Sequence, residues 1–244
     1  MSSAASATAR SCRSAELGCF RSPSPRPRSP ESTLTLRLPT LTDAPALYRL
    51  GSDPEVTRFF SWGPYECEEE AVAYLERLPA QRQLGEHLDF VVERRDLGPI
   101  GITGVSEISR RDRRGMVGTW FGRRWWGTGA NKESKALVAH VAFRLLGFER
   151  LGAYTNVLHG RSQAALQSIG FRREGVLRQW HRHGDRVHDV VIWSILRGEY
   201  ERSALALVPV EVAGEPPPAF VLGPPRLPAE AADREDHAED RPRA

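Results

Sequence analysis

Arg123-Arg124-Trp125-Trp126-Gly127-Thr128-Gly129-Ala130-Asn131 lies between a short strand-like stretch, Met116 to Phe121, and an apolar, helix-like run from Thr128 to Leu146. A glycine-rich turn feeding a helix start presents main-chain N–H groups that lack intrahelical partners, and such groups favour a phosphate. The turn is too short for an ATP-type loop and lacks the Gly-Lys-Ser/Thr ending. Lys132 stands where a dinucleotide fingerprint needs its third glycine. Another pyrophosphate-bearing cofactor remains, with coenzyme A the first choice. Taken alone, Gly127 and Gly129 fit an ordinary helix-start turn equally well.

The flanking sequence supplies a strand before the turn and a helix after it. Leu137, Val138, Val141, Ala142, Leu145 and Leu146 give that helix a broad apolar face, and Gly147 stops it. Upstream, Leu34 to Leu38 alternates as an opening strand. Thr42 is a candidate cap for a helix over Asp43 to Leu50, and a second helix is expected over Cys67 to Leu78. Leu88 to Glu93 and Ile100 to Ile108 read as consecutive strands joined at Asp96-Leu97-Gly98-Pro99. Downstream come a strand over Leu151 to Val157 and a short helix over Ser162 to Ile169 with Ser162 as its natural cap. Strands over Phe171 to Leu177 and Val187 to Leu196 follow, with Gly184-Asp185 in the turn between them. The order predicts an α/β (α+β) fold, a mixed sheet covered by helices. The glycine turn lies at the carboxyl end of a strand, where open sheets bind ligands.

The ends differ from the middle. Residues 1–30 hold five Arg and one acidic residue among Ser, Ala and Pro, and residues 205–244 are rich in Pro, Ala and Glu. Both are expected to be disordered tails around a domain at 31–204. The start is acid-poor like an organellar transit segment, but it lacks an amphipathic pattern, so a plain tail or an over-extended start is the simpler reading. A net charge of +3, with Arg interspersed among acids, argues against a nucleic-acid footprint. The three Cys form neither a disulfide framework nor a metal spacing. No apolar run approaches membrane-span length. A cytoplasmic location without metal, membrane or nucleic acid is expected, as a monomer or homodimer.

From about Leu34 to Tyr200 the chain resembles the GNAT superfamily of acyl-CoA-dependent N-acetyltransferases, and within it the RimJ/RimL-type enzymes that acetylate ribosomal-protein N-termini. Arg124-Trp125-Trp126-Gly127-Thr128-Gly129 matches the family's Arg/Gln-x-x-Gly-x-Gly/Ala signature, and Ala130 to Lys135 a common extension of it. Further blocks are Arg161 to Leu166, Ile169-Gly170-Phe171, Glu174 to Arg178 and Arg186-Val187-His188-Asp189. The resemblance implies a GNAT-like splayed central sheet whose parting strands are Met116 to Phe121 and Leu151 to Val157. It implies acetyl-CoA in the resulting V, with the pyrophosphate on the main chain of Arg124 to Ala130. The pantetheine would lie along strand ends that include Trp120, Phe121 and Asn156.

The same resemblance implies cofactor contacts for Arg124, Trp125, Trp126, Gly127, Thr128, Gly129, Ala130, His159 and Ser162. Arg124 could instead be a solvated helix-flanking residue, and one of the two Trp would pack while the other borders the ligand. Ser162 would protonate the leaving thiolate or cap its helix; one hydroxyl has limited capacity for both. His159 replaces the family's usual Asn, and His181 falls where the ribosomal type has a Glu proposed as base. A His could accept a proton near neutrality, or simply sit in the exposed Trp180-His181-Arg182-His183 turn. Glu174 and Asp189 are the other acids near the proposed cleft, with sheet support and hairpin organisation as their alternatives. Direct transfer in a ternary complex to a primary amine is expected. A protein or peptide α-amine is favoured over a small amine such as an antibiotic or polyamine. A non-catalytic acyl-CoA sensor is the alternative of another class.

Overall fold

The computed structural model describes the backbone of Cys19–Arg21 and all of residues 34–223. Its strands are β1 (Cys19–Arg21), β2 (Leu34–Arg37), β3 (Leu88–Arg94), β4 (Gly98–Ser109), β5 (Arg114–Phe121), β6 (Arg150–Asn156), β7 (Arg172–His183), β8 (Arg186–Leu196) and β9 (Glu211–Ala213). Its helices are α1 (Ala44–Gly51), α2 (Pro54–Thr57), α3 (Glu68–Leu84), α4 (Ala130–His140), α5 (Gly160–Ser168) and α6 (Arg197–Glu201). The strands form one sheet in the order β7-β8-β6-β5-β4-β3-β2-β1-β9.

Helices cover both faces, so the central strands are apolar on both sides. Leu88, Phe90, Val105 and Val117 share one core with α4, whose Leu137 and Val138 are wholly buried, and with Val141 just beyond it. Val91, Ile102 and Trp120 face the other way onto Leu47 of α1 and Ala71, Leu75 and Leu78 of α3. This is the expected mixed sheet between helical layers.

One pairing positions the site. β5 and β6 run parallel and pair at Arg114↔Arg150, Gly115↔Leu151 and Met116↔Gly152; the register ends there although β5 continues to Phe121 and β6 to Asn156. All the other neighbouring strands pair antiparallel. Gly152 permits the last close pair, since a Cβ there would meet Met116 Sδ at 2.4 Å. Beyond it the strands splay and leave main-chain groups facing the gap.

The element boundaries differ from the sequence reading in instructive ways. The first cap is Thr40, not Thr42: Asp43 Oδ2 accepts from the Thr40 N–H at 2.8 Å, and Asp43 is buried against Arg37 at 2.6 Å. α3 runs past Pro79 to Leu84 and ends on Gly85 at φ 74°; the proline costs one helical hydrogen bond without ending the helix. α4 starts at Ala130 rather than Thr128, because Gly129 adopts φ 91°, and its continuation over Val141–Leu145 is a π-turn. Ser162 does not cap α5; His159 occupies the cap position. β7 extends beyond Leu177 to His183 as a bulged arm, with Gln179 at φ 52° and its N–H donating to Asp189 Oδ1 at 2.8 Å. Asp189 thus organises the hairpin.

The expected domain end at 204 is also displaced. Leu205 and Phe220 are fully buried, and the Leu222 N–H donates to the Leu146 carbonyl at 3.0 Å. A few apolar residues in a Pro-rich stretch show no periodicity, so their packing is invisible in the sequence. Phe220→Ala is expected to destabilise the fold by roughly 3 kcal/mol, from lost burial plus the cavity left behind; denaturant unfolding checks it. The disorder expected of the two tails falls otherwise on residues 1–18, 22–30 and 224–244, outside the described residues. No helix among the described residues is long and apolar enough to cross a membrane.

Candidate active site

A cavity of about 940 Å³ passes through the gap between β5 and β6. Asn131, Lys135, Thr155, Ser162 and Leu166 line it on the α4/α5 side. Trp62, Tyr74, Asp89, Gly104, Glu107, Trp120, Tyr154 and His181 line it on the α1/α3 side. The splayed pairing therefore joins two half-sites on opposite faces of the sheet.

The glycine turn precedes the α4 half. Gly127 and Gly129 have φ of 75° and 91°, and a Cβ on either would meet nothing within 4 Å. Among the described residues no side chain caps α4, so the first N–H groups of the helix keep their capacity for an anion. The turn is exposed and its neighbours hold it in shape. The Thr128 hydroxyl donates to the Trp125 carbonyl at 2.8 Å, and Trp126 Nε1 donates to the Phe121 carbonyl at 3.0 Å. These are the features a pyrophosphate cradle requires: open space over two glycines and undirected donors at a helix start.

Not every cofactor residue read from the sequence reaches the cleft. Phe121 and Trp125 are buried in the core. Arg124 lies over the Trp125 ring at 4.6 Å, and Arg161 over the Trp126 ring at 3.6 Å. Trp125 therefore packs and Trp126 borders the turn. Gly127, Thr128, Gly129 and Ala130 form the turn and the helix start, outside the walls of the large cavity. Trp120, Asn156, His159 and Ser162 do line it. Asn156 Oδ1 accepts from the Leu158 N–H at 2.9 Å and shapes the end of β6. The His159 ring stacks on Phe59 at 4.3 Å; burial and the nearby Arg161 hold its pKa down at about 4, so it is neutral at pH 7. Glu133 accepts from the Leu34 N–H at 2.8 Å and ties α4 to β2.

Glu174, the third catalytic candidate, is not brought to the cleft. Its carboxylate accepts from both terminal nitrogens of Arg150 and from Ser194 Oγ at 2.6 Å, and Arg150 holds its pKa below the ordinary range. It joins β7 to β6 and β8, the sheet-support alternative. His181 does line the cavity. Its ring meets Tyr154 edge-on at 5.7 Å. Burial lowers its pKa, Glu107 opposes that shift, and His188 adds to it. Tyr154 donates its hydroxyl to Glu107 Oε2 at 3.0 Å. Burial and Glu107 raise the Tyr154 phenol to about 12, so it stays protonated. The β7 arm is seated by His183 Nε2, 2.7 Å from the Gly63 carbonyl.

Glu107, Tyr154 and Lys135 were not singled out from the sequence. Glu107 reaches the site because the β4–β5 register shifts between Ser106 and Ser109, with Glu107 at φ 49°. Lys135 looks like a solvated helix residue in a charged stretch, yet it is only 4 % exposed. Its ammonium donates to Thr119 Oγ1, and burial lowers its pKa to about 7.

Comparison with known proteins agrees with this geometry. Residues 33–172 match the family model described as an acetyltransferase (GNAT) domain. The uncharacterized N-acetyltransferase YoaA of Bacillus subtilis (strain 168) is 30% identical over 165 residues, 67% of this chain and 93% of that protein. The uncharacterized N-acetyltransferase p20 of Bacillus licheniformis is 30% identical over 170 residues, 68% of this chain and 94% of its own. The structure of Mycobacterium smegmatis RimJ in complex with CoA-disulfide shares the fold at a TM-score of 0.67, with 21% identity, over 80% of this chain and 95% of that one. A splayed β5/β6 pair, a glycine turn at the next helix and these matches lead to one conclusion: the chain belongs to the GNAT acetyltransferase family.

Proposed function

We propose that this protein transfers an acetyl group from acetyl-CoA to a primary amine by direct attack in a ternary complex. The observation that carries the reading is the continuous cavity through the β5/β6 gap, with a donor turn leading to one half and a titratable cluster in the other. Acetyl-CoA supplies an activated acyl carbonyl with a thiolate as leaving group. The main-chain N–H groups from Gly127 to Asn131 would hold its pyrophosphate, and the unpaired edges of β5 and β6 its pantetheine arm.

The remaining work falls to side chains. An attacking amine must lose a proton, and neutral His181 is the acceptor in the α1/α3 half. Glu107 favours the imidazolium that results. Ser162 Oγ, which is not needed as a helix cap, is the hydroxyl available as proton donor on the other side. His159 stands as a neutral polar ring where the family usually has Asn. The resemblance favours a protein α-amine as acceptor. The carboxylates that line the α1/α3 half and its aromatic walls favour a small cationic amine. Acetyl-CoA-dependent thiol release with N-terminal peptides and small amines separates these cases, and no release across both panels would overturn the reading.

Cofactor binding has its own test. Gly129→Asp is expected to weaken coenzyme A binding by on the order of 30-fold, about 2 kcal/mol, through charge repulsion at the cradle. Gly129→Ala is the control for backbone strain at positive φ, a cost of roughly 1–2 kcal/mol in stability. Calorimetry on the folded variants reads both. Unchanged affinity in Gly129→Asp would remove the phosphate assignment.

A further inference from the structure

On the α1/α3 side, three neighbouring strands carry a row that is almost bare. Asp89 of β3 lies opposite Gly104 of β4, and Gly104 lies opposite Gly118 of β5. A Cβ on Gly104 would come 2.1 Å from Asp89 Oδ1, so this glycine makes room for the carboxylate. A Cβ on Gly118 would meet nothing within 4 Å. All three residues line the cavity. The row is a lane that starts at β5, where β6 diverges, and ends at a carboxylate. Asp89 Oδ1 already lies over Gly104, so the open lane from that oxygen across Gly118 to the β5/β6 gap is shorter than two strand spacings, under about 10 Å.

Among the described residues no Lys or Arg makes an ion pair with the carboxylate at its end. Asp89 Oδ2 accepts from the Tyr74 hydroxyl at 2.9 Å, and Oδ1 faces the lane over Gly104. His87, Arg77, Glu66 and Glu70 also line the cavity; His87 acts on Asp89 through its charge. Burial pushes the Asp89 carboxyl above its ordinary range, while the Tyr74 hydroxyl and His87 pull it back. Keeping such a group charged is costly unless a cation arrives. Ile102, Trp62 and Trp120 form walls suited to methylene groups and to the face of an ammonium.

We propose that the acceptor is an elongated aliphatic diamine or polyamine, whose reacting amine sits at the strand divergence and whose second ammonium is bound by Asp89 at the end of the glycine lane. This rests on the acetyl-transfer reading and adds the acceptor class to it.

The test uses the full chain, saturating acetyl-CoA and thiol release. Diaminoheptane is compared with heptylamine, and ethylenediamine with ethylamine. For the long pair, kcat/KM for the diamine is expected to exceed that for the monoamine by about 10-fold or more, well above the doubling that two equivalent ends give by counting. The short pair should show no such gap, because two carbons cannot bridge from Asp89 across Gly118 to the strand divergence. Asp89→Asn should bring the long-pair ratio close to the statistical value. Equal kcat/KM for heptylamine and diaminoheptane in the unmodified protein would overturn the subsite while leaving acetyl transfer standing. Faster turnover of N-terminal peptides than of every diamine would overturn the acceptor class. No thiol release with any amine would overturn both the subsite and the transfer reading. The unmodified protein decides the matter even if Asp89→Asn fails to fold.

Discussion

Replacing His181 with glutamine is expected to lower kcat roughly 100-fold, the usual scale for a positioned general base. It should also abolish the acidic limb of the pH–rate profile. Burial holds the His181 pKa below its ordinary 6.5, so the imidazole is already neutral at pH 7 and the limb lies below pH 6.5. Glutamine keeps a polar group on the β7 arm but takes up no proton. The rise at alkaline pH, set by deprotonation of the acceptor amine itself, should remain, and KM for acetyl-CoA should change little. Glu107→Gln should shift the wild-type limb to still lower pH, because losing the carboxylate disfavours the imidazolium. An unaltered profile and rate in His181→Gln would remove it as base.

Lys135→Met is expected to stabilise the fold while lowering activity. The lysine is enclosed beside the cofactor half of the cleft, donates to Thr119, and has its pKa lowered from 10.5 to about 7 by burial alone. Between those values the unfolded chain binds more protons than the folded one, so stability rises with pH over that window. Below about pH 7 both states are protonated and the full desolvation cost remains, up to about 5 kcal/mol for a shift of this size. Methionine fills a similar volume without the charge. The variant should therefore gain stability most at and below neutral pH and lose the rise between pH 7 and 10.5. Denaturant unfolding at several pH values reads this. A less stable variant at pH 7 would show that the buried ammonium is well compensated. Because Lys135 lines the cleft and donates to Thr119, thiol release by the same variant reads the expected loss of activity.

The strands, the long helix and the glycine turn were legible because each carries a local signal. Alternation in β2, the apolar stripe of α4 and the two glycines all act within a few residues of chain. Boundaries failed where a local cue had a distant competitor. Thr40 capped because Asp43 had Arg37 to pair with, and Ser162 did not cap because His159 entered the cap position instead. The fold of residues 205–223 stayed hidden because Phe220 gains its burial from other elements, not from a repeating pattern of its own.

The residue order of this chain was enough for the mixed sheet, its family and the place of the glycine turn, since these follow from periodicity, motif blocks and glycine's freedom at positive φ. The composition of the cleft was not. Glu174 and His181 look equally eligible as text, yet one is tied up by Arg150 and Ser194 while a bulge at Gln179 carries the other over the gap. Nothing local in the sequence marks Lys135, Asp89 or Glu107: helix packing buries Lys135, the sheet register sets Asp89 beside Gly104, and the β4 irregularity brings the exposed Glu107 to the cleft. Burial and cross-strand neighbours come from contacts far apart in the chain, so only the folded molecule sets which of its charges meet.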